Sequence, residues 1–163
     1  MASLSRMPRE SVARACLFSL SGRPPTKERA LAKLNDKQKQ FLEQPFVGTV
    51  TTLREDGSPH STIVWVDVED GVVSFNTALG RAKPKHIEHD PRAGMLVVDP
   101  NDSYKWVSVD GHAELTTDGA DAQIDKLAKK YLGKDEYPWR NPEEQRVKVR
   151  ITPEHITGSG LDD

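Results

Sequence analysis

The chain has 163 residues, with 23 Lys and Arg against 25 Asp and Glu and a single cysteine, Cys16. That length suits one domain with a proper core and is too short for two comfortable ones. The near-balance of charge excludes a global field directed at nucleic acid or membrane, and one cysteine excludes an internal disulfide framework and fits a reducing compartment. No apolar run approaches membrane-spanning length, so the expectation is a soluble, cytoplasmic, single-domain protein.

Residues 1–29 carry several Arg and Ser, the pair Pro24-Pro25 and little periodicity. They read as a flexible extension, leaving residues 30–163 as the folded domain. Over residues 26–44, Leu31, Leu34, Gln38 and Phe41-Leu42 recur at helical spacing, and Pro45 closes the segment. This predicts one amphipathic helix, or two broken near Asn35.

The period then changes to two. Residues 46–53 (FVGTVTTL), 59–68 (PHSTIVWVDV) and 72–77 (VVSFNT) are rich in β-branched residues and separated by Asp56-Gly57 and Asp70-Gly71. Three strands joined by Asp-Gly turns predict an antiparallel meander. In the second, Ser61, Ile63 and Trp65 share one face and Thr62, Val64 and Val66 the other, which predicts packing on both sides.

Residues 76–91 (NTALGRAKPKHIEHDP) leave the third strand, turn at Gly80 and present Arg81 and Lys83. Pro84 opens a helical pattern that stops before Pro91. Backbone N–H groups at a helix start attract anions, and two cations beside them supply full charge. From these residues alone the stretch is either a phosphate-holding turn or an ordinary strand–helix connection with solvated cations.

Residues 93–99 (AGMLVVD) are apolar and predict a central strand. In residues 104–115 (YKWVSVDGHAEL), Val107, Val109, Ala113 and Leu115 alternate with Trp106, Ser108, Asp110, His112 and Glu114, and Gly111 marks a bulge or corner. Tyr104 and Trp106 are in phase with the polar residues, so they either cap a core edge or form a platform for a flat ligand or a partner chain. A helix capped by Asp118 and ended by Gly133 follows, with Ile124, Leu127, Ala128 and Tyr131 on one face. After a polar loop over residues 134–144, RVKVRIT (146–152) predicts a last strand. Its Arg146, Lys148 and Arg150 read as the solvated face of an edge strand.

The five histidines show no zinc pattern, and there is no Gly-x-Ser-x-Gly elbow, Walker loop or Gly-x-Gly-x-x-Gly. No residue is nominated as catalytic or as a metal ligand. A chain without its own reactive constellation borrows a reactive group from a cofactor or does no chemistry.

The segment from FVGTVTTL through the Gly-Arg-Ala-Lys turn to AGMLVVDP, with YKWVSVDGHAEL after it, resembles the flavin/deazaflavin oxidoreductase split β-barrel family. That family is related to pyridoxamine 5′-phosphate oxidase, and the similarity, strongest to the coenzyme F420-dependent branch, spans roughly residues 36–158. The resemblance implies a mainly β, six-stranded antiparallel split barrel with added helices, and a homodimer whose cofactor ring lies between subunits. It implies that Arg81, Ala82 and Lys83 hold the cofactor phosphate, and that His60, Ser61, Thr62, Ile63 and Val64 line the ring, as do Asn76 and Thr77. Tyr104 and Trp106 match the place from which the second subunit supplies aromatics. The implied activity is hydride transfer between coenzyme F420 and a small organic acceptor. The alternatives are an FMN-dependent reductase or oxidase on the same fold, or a non-catalytic flavin or deazaflavin carrier. One departure stands out: the chain ends ITGSGLDD, without the terminal arginines that hold substrate phosphate in the pyridoxamine phosphate oxidases proper.

Overall fold

A computed structural model describes residues 31–161; the proposed extension and Cys16 lie outside the described residues. The first described element is α1 (Asp36–Glu43), shorter than the 26–44 pattern predicts within the described part. Asn35 defines its start. The Asn35 side chain accepts from the Gln38 N–H at 2.8 Å, while Gln38 Oε1 accepts from the Asn35 N–H at 3.0 Å. This reciprocal capping box satisfies two donors that would otherwise be orphaned, and it turns Phe41 and Leu42 into the core.

Seven strands follow: β1 (Gly48–Leu53), β2 (Pro59–Val64), β3 (Val66–Glu69), β4 (Val72–Ala78), β5 (Arg92–Asp99), β6 (Asp102–Thr116) and β7 (Arg146–Ser159). Two further helices, α2 (Ala82–His89) and α3 (Ala120–Leu132), are inserted after β4 and β6. Every pairing is antiparallel, in the order β2-β1-β5-β6-β7-β4-β3. The Asp-Gly turns form as predicted; at the β3–β4 turn Asp70 (φ 53°) and Gly71 (φ 75°) both adopt the left-handed conformation that a two-residue hairpin requires.

The strand count exceeds six because residues 59–68 do not form one strand. The chain breaks at Trp65, so β2 pairs with β1 while β3 pairs with β4. These two strands end opposite edges of the sheet yet are one residue apart in sequence, which makes the sheet curl until its edges meet at Trp65. A strand break strands backbone polar groups, and α3 satisfies them. The Val66 N–H donates to the Tyr131 hydroxyl at 2.9 Å, and that hydroxyl donates to the Phe46 carbonyl at 2.7 Å. The Lys130 ammonium donates to the Leu42 and Val66 carbonyls, each at 2.8 Å. Tyr131 also stacks on Trp65, ring centres 5.2 Å apart and planes within 4°.

Inside the curl, Val50, Val66, Val73, Phe75, Met95, Val97, Val107, Val109, Val149 and Ile151 form one apolar cluster, closed by Phe41 and Leu42 of α1 and Ile87 of α2. The β6–β7 register slips at Asp110/Gly111, where Gly111 pairs with Pro153. A Cβ on Gly111 would lie 1.9 Å from the Thr152 carbonyl oxygen, so only glycine permits this approach.

Three local expectations change. The N-cap of α3 is Gly119 in the left-handed conformation, with no side-chain cap, and not Asp118. β2 is an edge strand with Ser61 and Ile63 exposed, so within one chain it is not packed on both sides. β7 is no edge: it lies between β6 and β4, α3 packs on it, and Arg146 is buried. No helix among the described residues is long and apolar enough to cross a membrane.

Candidate functional site

The residues singled out in the sequence largely converge where β2, β4 and the start of α2 meet. A cleft of about 230 Å³ is lined there by Ile63, Val64, Asn76, Thr77, Arg81 and Lys83, together with Trp65, Ile124, Leu127, Tyr137 and Arg146. Thr62 joins them through a 3.1 Å hydrogen bond from the Lys83 ammonium to its hydroxyl. Helix α2 begins two residues earlier than Pro84. Arg81 is its N-cap and makes no side-chain capping bond, which leaves Ala82 and Lys83 in a first turn whose N–H groups lack a side-chain acceptor.

The electrostatics of this cleft are lopsided. Of its three cations Arg81, Lys83 and Arg146, the two arginines share one carboxylate, Glu144, which accepts from Arg81 Nη2 at 2.6 Å and from Arg146 Nη1 at 3.4 Å. Lys83 is half-buried and has no carboxylate partner among the described residues; burial, then the charge of Arg81, pushes its ammonium pKa below the usual lysine range. Burial likewise pushes Arg146 down, while the Arg81 hydrogen bond holds Glu144 below the ordinary carboxylate range. Excess positive charge partly removed from water is a place where an anion gains most.

Two buried side-chain atoms among the described residues have no hydrogen-bond partner, Thr77 Oγ1 and His60 Nδ1. Both belong to the predicted set. A buried hydroxyl without a partner loses hydration with no return unless a ligand supplies one, and Thr77 lines the cleft. His60 instead sits edge-on to His86, ring centres 5.2 Å apart, and His86 Nδ1 is 2.9 Å from the Thr52 hydroxyl. Burial, followed by the charges of His60, Arg54 and Lys83, pushes His86 below the usual histidine range.

Other predicted residues lie elsewhere within one chain. Ser61 bonds Thr51 at 2.8 Å on the outer face of the sheet, and Ala82 lines the neighbouring groove beside Arg54 and Lys85. Tyr104, 81% exposed, and Trp106 do not line the cleft; Trp106 borders an outer-face groove with Leu96 and Val98. A larger hollow of about 650 Å³ on that face is lined mainly by neutral side chains, its charges are of mixed sign (Arg92, Asp110 and Glu154), and Arg92 is held by Asp90 at 2.6 Å. Charge of one sign, from Arg81, Lys83 and Arg146, converges in the smaller cleft, which is therefore the stronger candidate site.

The sequence reading missed Tyr137, Glu144 and Arg146, and placed Trp65 only at the end of the strand stretch that encloses the ring. Trp65 was legible only as a strand residue, and Tyr137 as part of a polar loop. Arg146 alternates with Val147 just as an edge-strand cation would. Its role depends on Asn76, whose Oδ1 accepts from Arg146 Nε at 2.8 Å, and on Tyr137, whose ring centre lies 5.3 Å from the guanidinium carbon.

Residues 34–159 match the family model described as pyridoxamine 5′-phosphate oxidase. The chain is 30% identical over 129 residues to an F420H(2)-dependent biliverdin reductase of Mycobacterium tuberculosis, covering 78% of this chain and 89% of that protein. Among solved structures, one described as an F420 reductase superimposes with a TM-score of 0.64 at 28% identity, over 73% of this chain and 94% of the other. A conserved hypothetical protein of M. tuberculosis gives a TM-score of 0.63 at 24% identity, over 83% of this chain and 91% of that one, and supports the fold alone. The curled antiparallel sheet, the cationic turn after β4 and the match across nearly all described residues agree: the chain belongs to the pyridoxamine 5′-phosphate oxidase family of split β-barrels.

Proposed function

We propose that this protein is an oxidoreductase that binds coenzyme F420 and transfers hydride between it and a small organic acceptor. The observation that carries this reading is the cleft itself, where Arg81, Lys83 and Arg146 outnumber Glu144 beside the unpartnered hydroxyl of Thr77. The relatives named for F420 support the choice of deazaflavin.

In this reading Arg81 and Lys83 hold the cofactor phosphate, with the first N–H groups of α2 beside them. Thr62, Ile63 and Val64 line the ring from β2, and Asn76 and Thr77 from β4. Ile124, Leu127 and Trp65 exclude water from the inner wall. The bound deazaflavin supplies the hydride chemistry; the protein holds it, aligns the acceptor and keeps the site dry. No side chain is assigned acid–base work. Two chains complete the site: Tyr104 and Trp106 serve a partner's cleft, which gives an 81%-exposed tyrosine an apolar environment. FMN is the alternative cofactor, because the same cations would hold its phosphate.

Titration of the purified protein with F420 and with FMN, followed by fluorescence and absorbance, tests the assignment. The expected outcome is preferential F420 binding, with Lys83→Ala weakening it at least about tenfold through loss of a charge-assisted bond of about 1.5–3 kcal/mol. Preferential FMN binding favours the alternative, and unchanged affinity in Lys83→Ala removes the phosphate assignment. Binding without turnover over a panel of quinones, enones and tetrapyrroles identifies a carrier.

A further inference from the structure

Arg146 is the most deeply buried cation of the cleft, 8% exposed, and its fork is only partly used. Nε donates to Asn76 Oδ1 at 2.8 Å, and Nη1 reaches Glu144 Oε2 at 3.4 Å. Nη2 has no protein acceptor among the described residues, although the side chain lines the cleft. Nη2 is not among the buried unpartnered atoms, so it keeps access to the cleft, where a ligand acceptor would complete the fork.

The residue that aims Arg146 is itself fixed. Asn76 Nδ2 donates to the Ala120 carbonyl at 2.8 Å and to Gln123 Oε1 at 3.2 Å, while Gln123 Nε2 donates to the Ser74 hydroxyl at 2.8 Å. This relay settles the amide orientation of Asn76, so that its oxygen faces Arg146. The guanidinium is thus held by β4 and α3 independently of Glu144.

Glu144 stands between two arginines, one oxygen toward each: Arg81 Nη2 at 2.6 Å and Arg146 Nη1 at 3.4 Å. It comes from the loop before β7 and is partly exposed. Two guanidinium groups bridged by a carboxylate present the donor arrangement that a phosphate or a ligand carboxylate would meet. The Arg146 contact is long, so the internal carboxylate satisfies this pair incompletely.

We propose that Arg146, positioned by Asn76 and Gln123, is an anion-binding residue of the cleft, and that Glu144 is an internal placeholder displaced when the ligand's anionic group binds between Arg81 and Arg146. The identity of that ligand rests on the cofactor reading above; the anion subsite does not. The ligand group is a phosphate ester or a carboxylate, and the phosphate of the cofactor is the source to which we commit.

The test uses the full chain, with Arg146→Lys, Arg146→Met and Glu144→Gln variants checked by circular dichroism. Three probes are titrated against intrinsic tryptophan fluorescence, since Trp65 lines the cleft: F420, its phosphate-free deazariboflavin, and inorganic phosphate. Glu144→Gln is expected to bind F420 and inorganic phosphate at least about threefold more tightly, because an internal competitor has been neutralised. Arg146→Met is expected to lose about tenfold or more for F420 and inorganic phosphate but less than about twofold for deazariboflavin, as removal of a charge-assisted bond requires. Arg146→Lys, which keeps the charge without the fork, falls between the two and carries the test if Arg146→Met does not fold.

Weaker or unchanged anion binding in Glu144→Gln overturns the placeholder, since Glu144 would then organise the arginines. Equal losses for F420 and deazariboflavin in the Arg146 variants overturn the anion role, as does a loss for neither. A substrate carboxylate as the true occupant appears as unchanged F420 affinity in Arg146→Met, with only the KM of a carboxylate-bearing acceptor raised, and overturns the commitment to phosphate. If wild-type protein binds neither F420 nor FMN, the cofactor reading fails, while the inorganic phosphate titrations still decide the subsite.

Discussion

Tyr131→Phe isolates what holds the curled sheet together. The substitution removes one hydroxyl and leaves the ring stacked on Trp65, whose centre is 5.2 Å away. That hydroxyl accepts from the Val66 N–H at 2.9 Å and donates to the Phe46 carbonyl at 2.7 Å. Val66 is fully buried, so its N–H has no water to turn to and its loss costs about 1–3 kcal/mol. Phe46 is only partly buried, and its carbonyl adds about 0.5–1 kcal/mol. The sum is about 1.5–4 kcal/mol, equivalent to a fall in Tm of roughly 3–16 °C for a chain of this size. Urea denaturation of both proteins, with m unchanged, measures it directly. A loss below about 0.5 kcal/mol would refute the claim that Tyr131 satisfies the backbone at the strand break.

Two further perturbations test the scaffold. Gly111→Ala places a Cβ 1.9 Å from the Thr152 carbonyl oxygen, with backbone on both sides, so β6 and β7 must part. The expected loss is about 3 kcal/mol by denaturant unfolding, and near wild-type stability would show that the strands do not approach so closely. Lys130, whose pKa burial pushes down to about 8 from the ordinary 10.5, makes stability depend on pH. Between those values the unfolded chain binds the proton and the folded chain releases it, so stability relative to Lys130→Met rises with pH through this window. Below it the unfavourable burial of the charge is fully present. A difference between the two proteins that is flat from pH 7.5 to about 10.5 would contradict this.

Much of this architecture is legible in the chain, and for local reasons. The Asp-Gly pairs at residues 56–57 and 70–71 announce their hairpins because they tolerate the left-handed turn those strands require. Alternation over residues 104–115 assigns Val107, Val109 and Ala113 to the core, and the structure buries all three. The cationic turn was visible as Arg81 and Lys83 after a strand, and both line the cleft. The break at Trp65 was not legible, because PHSTIVWVDV is continuously strand-like and nothing local distinguishes one long strand from two on opposite edges.

Turn chemistry and period are properties of neighbouring residues and specify the antiparallel hairpins and the helix insertions, while the family enters through the resemblance and the match over residues 34–159. Tertiary structure alone decided which cations matter. Arg146, Lys148 and Arg150 show the same outward phase on a solvated edge or beneath a helix, and only the packing of α3 over β7 buries Arg146 against Asn76. Its partners Asn76 and Tyr137 are 70 and 9 positions away in the chain, beyond the reach of any periodicity. Burial converts an ordinary surface charge into one that requires a partner, and burial is decided by what folds over it.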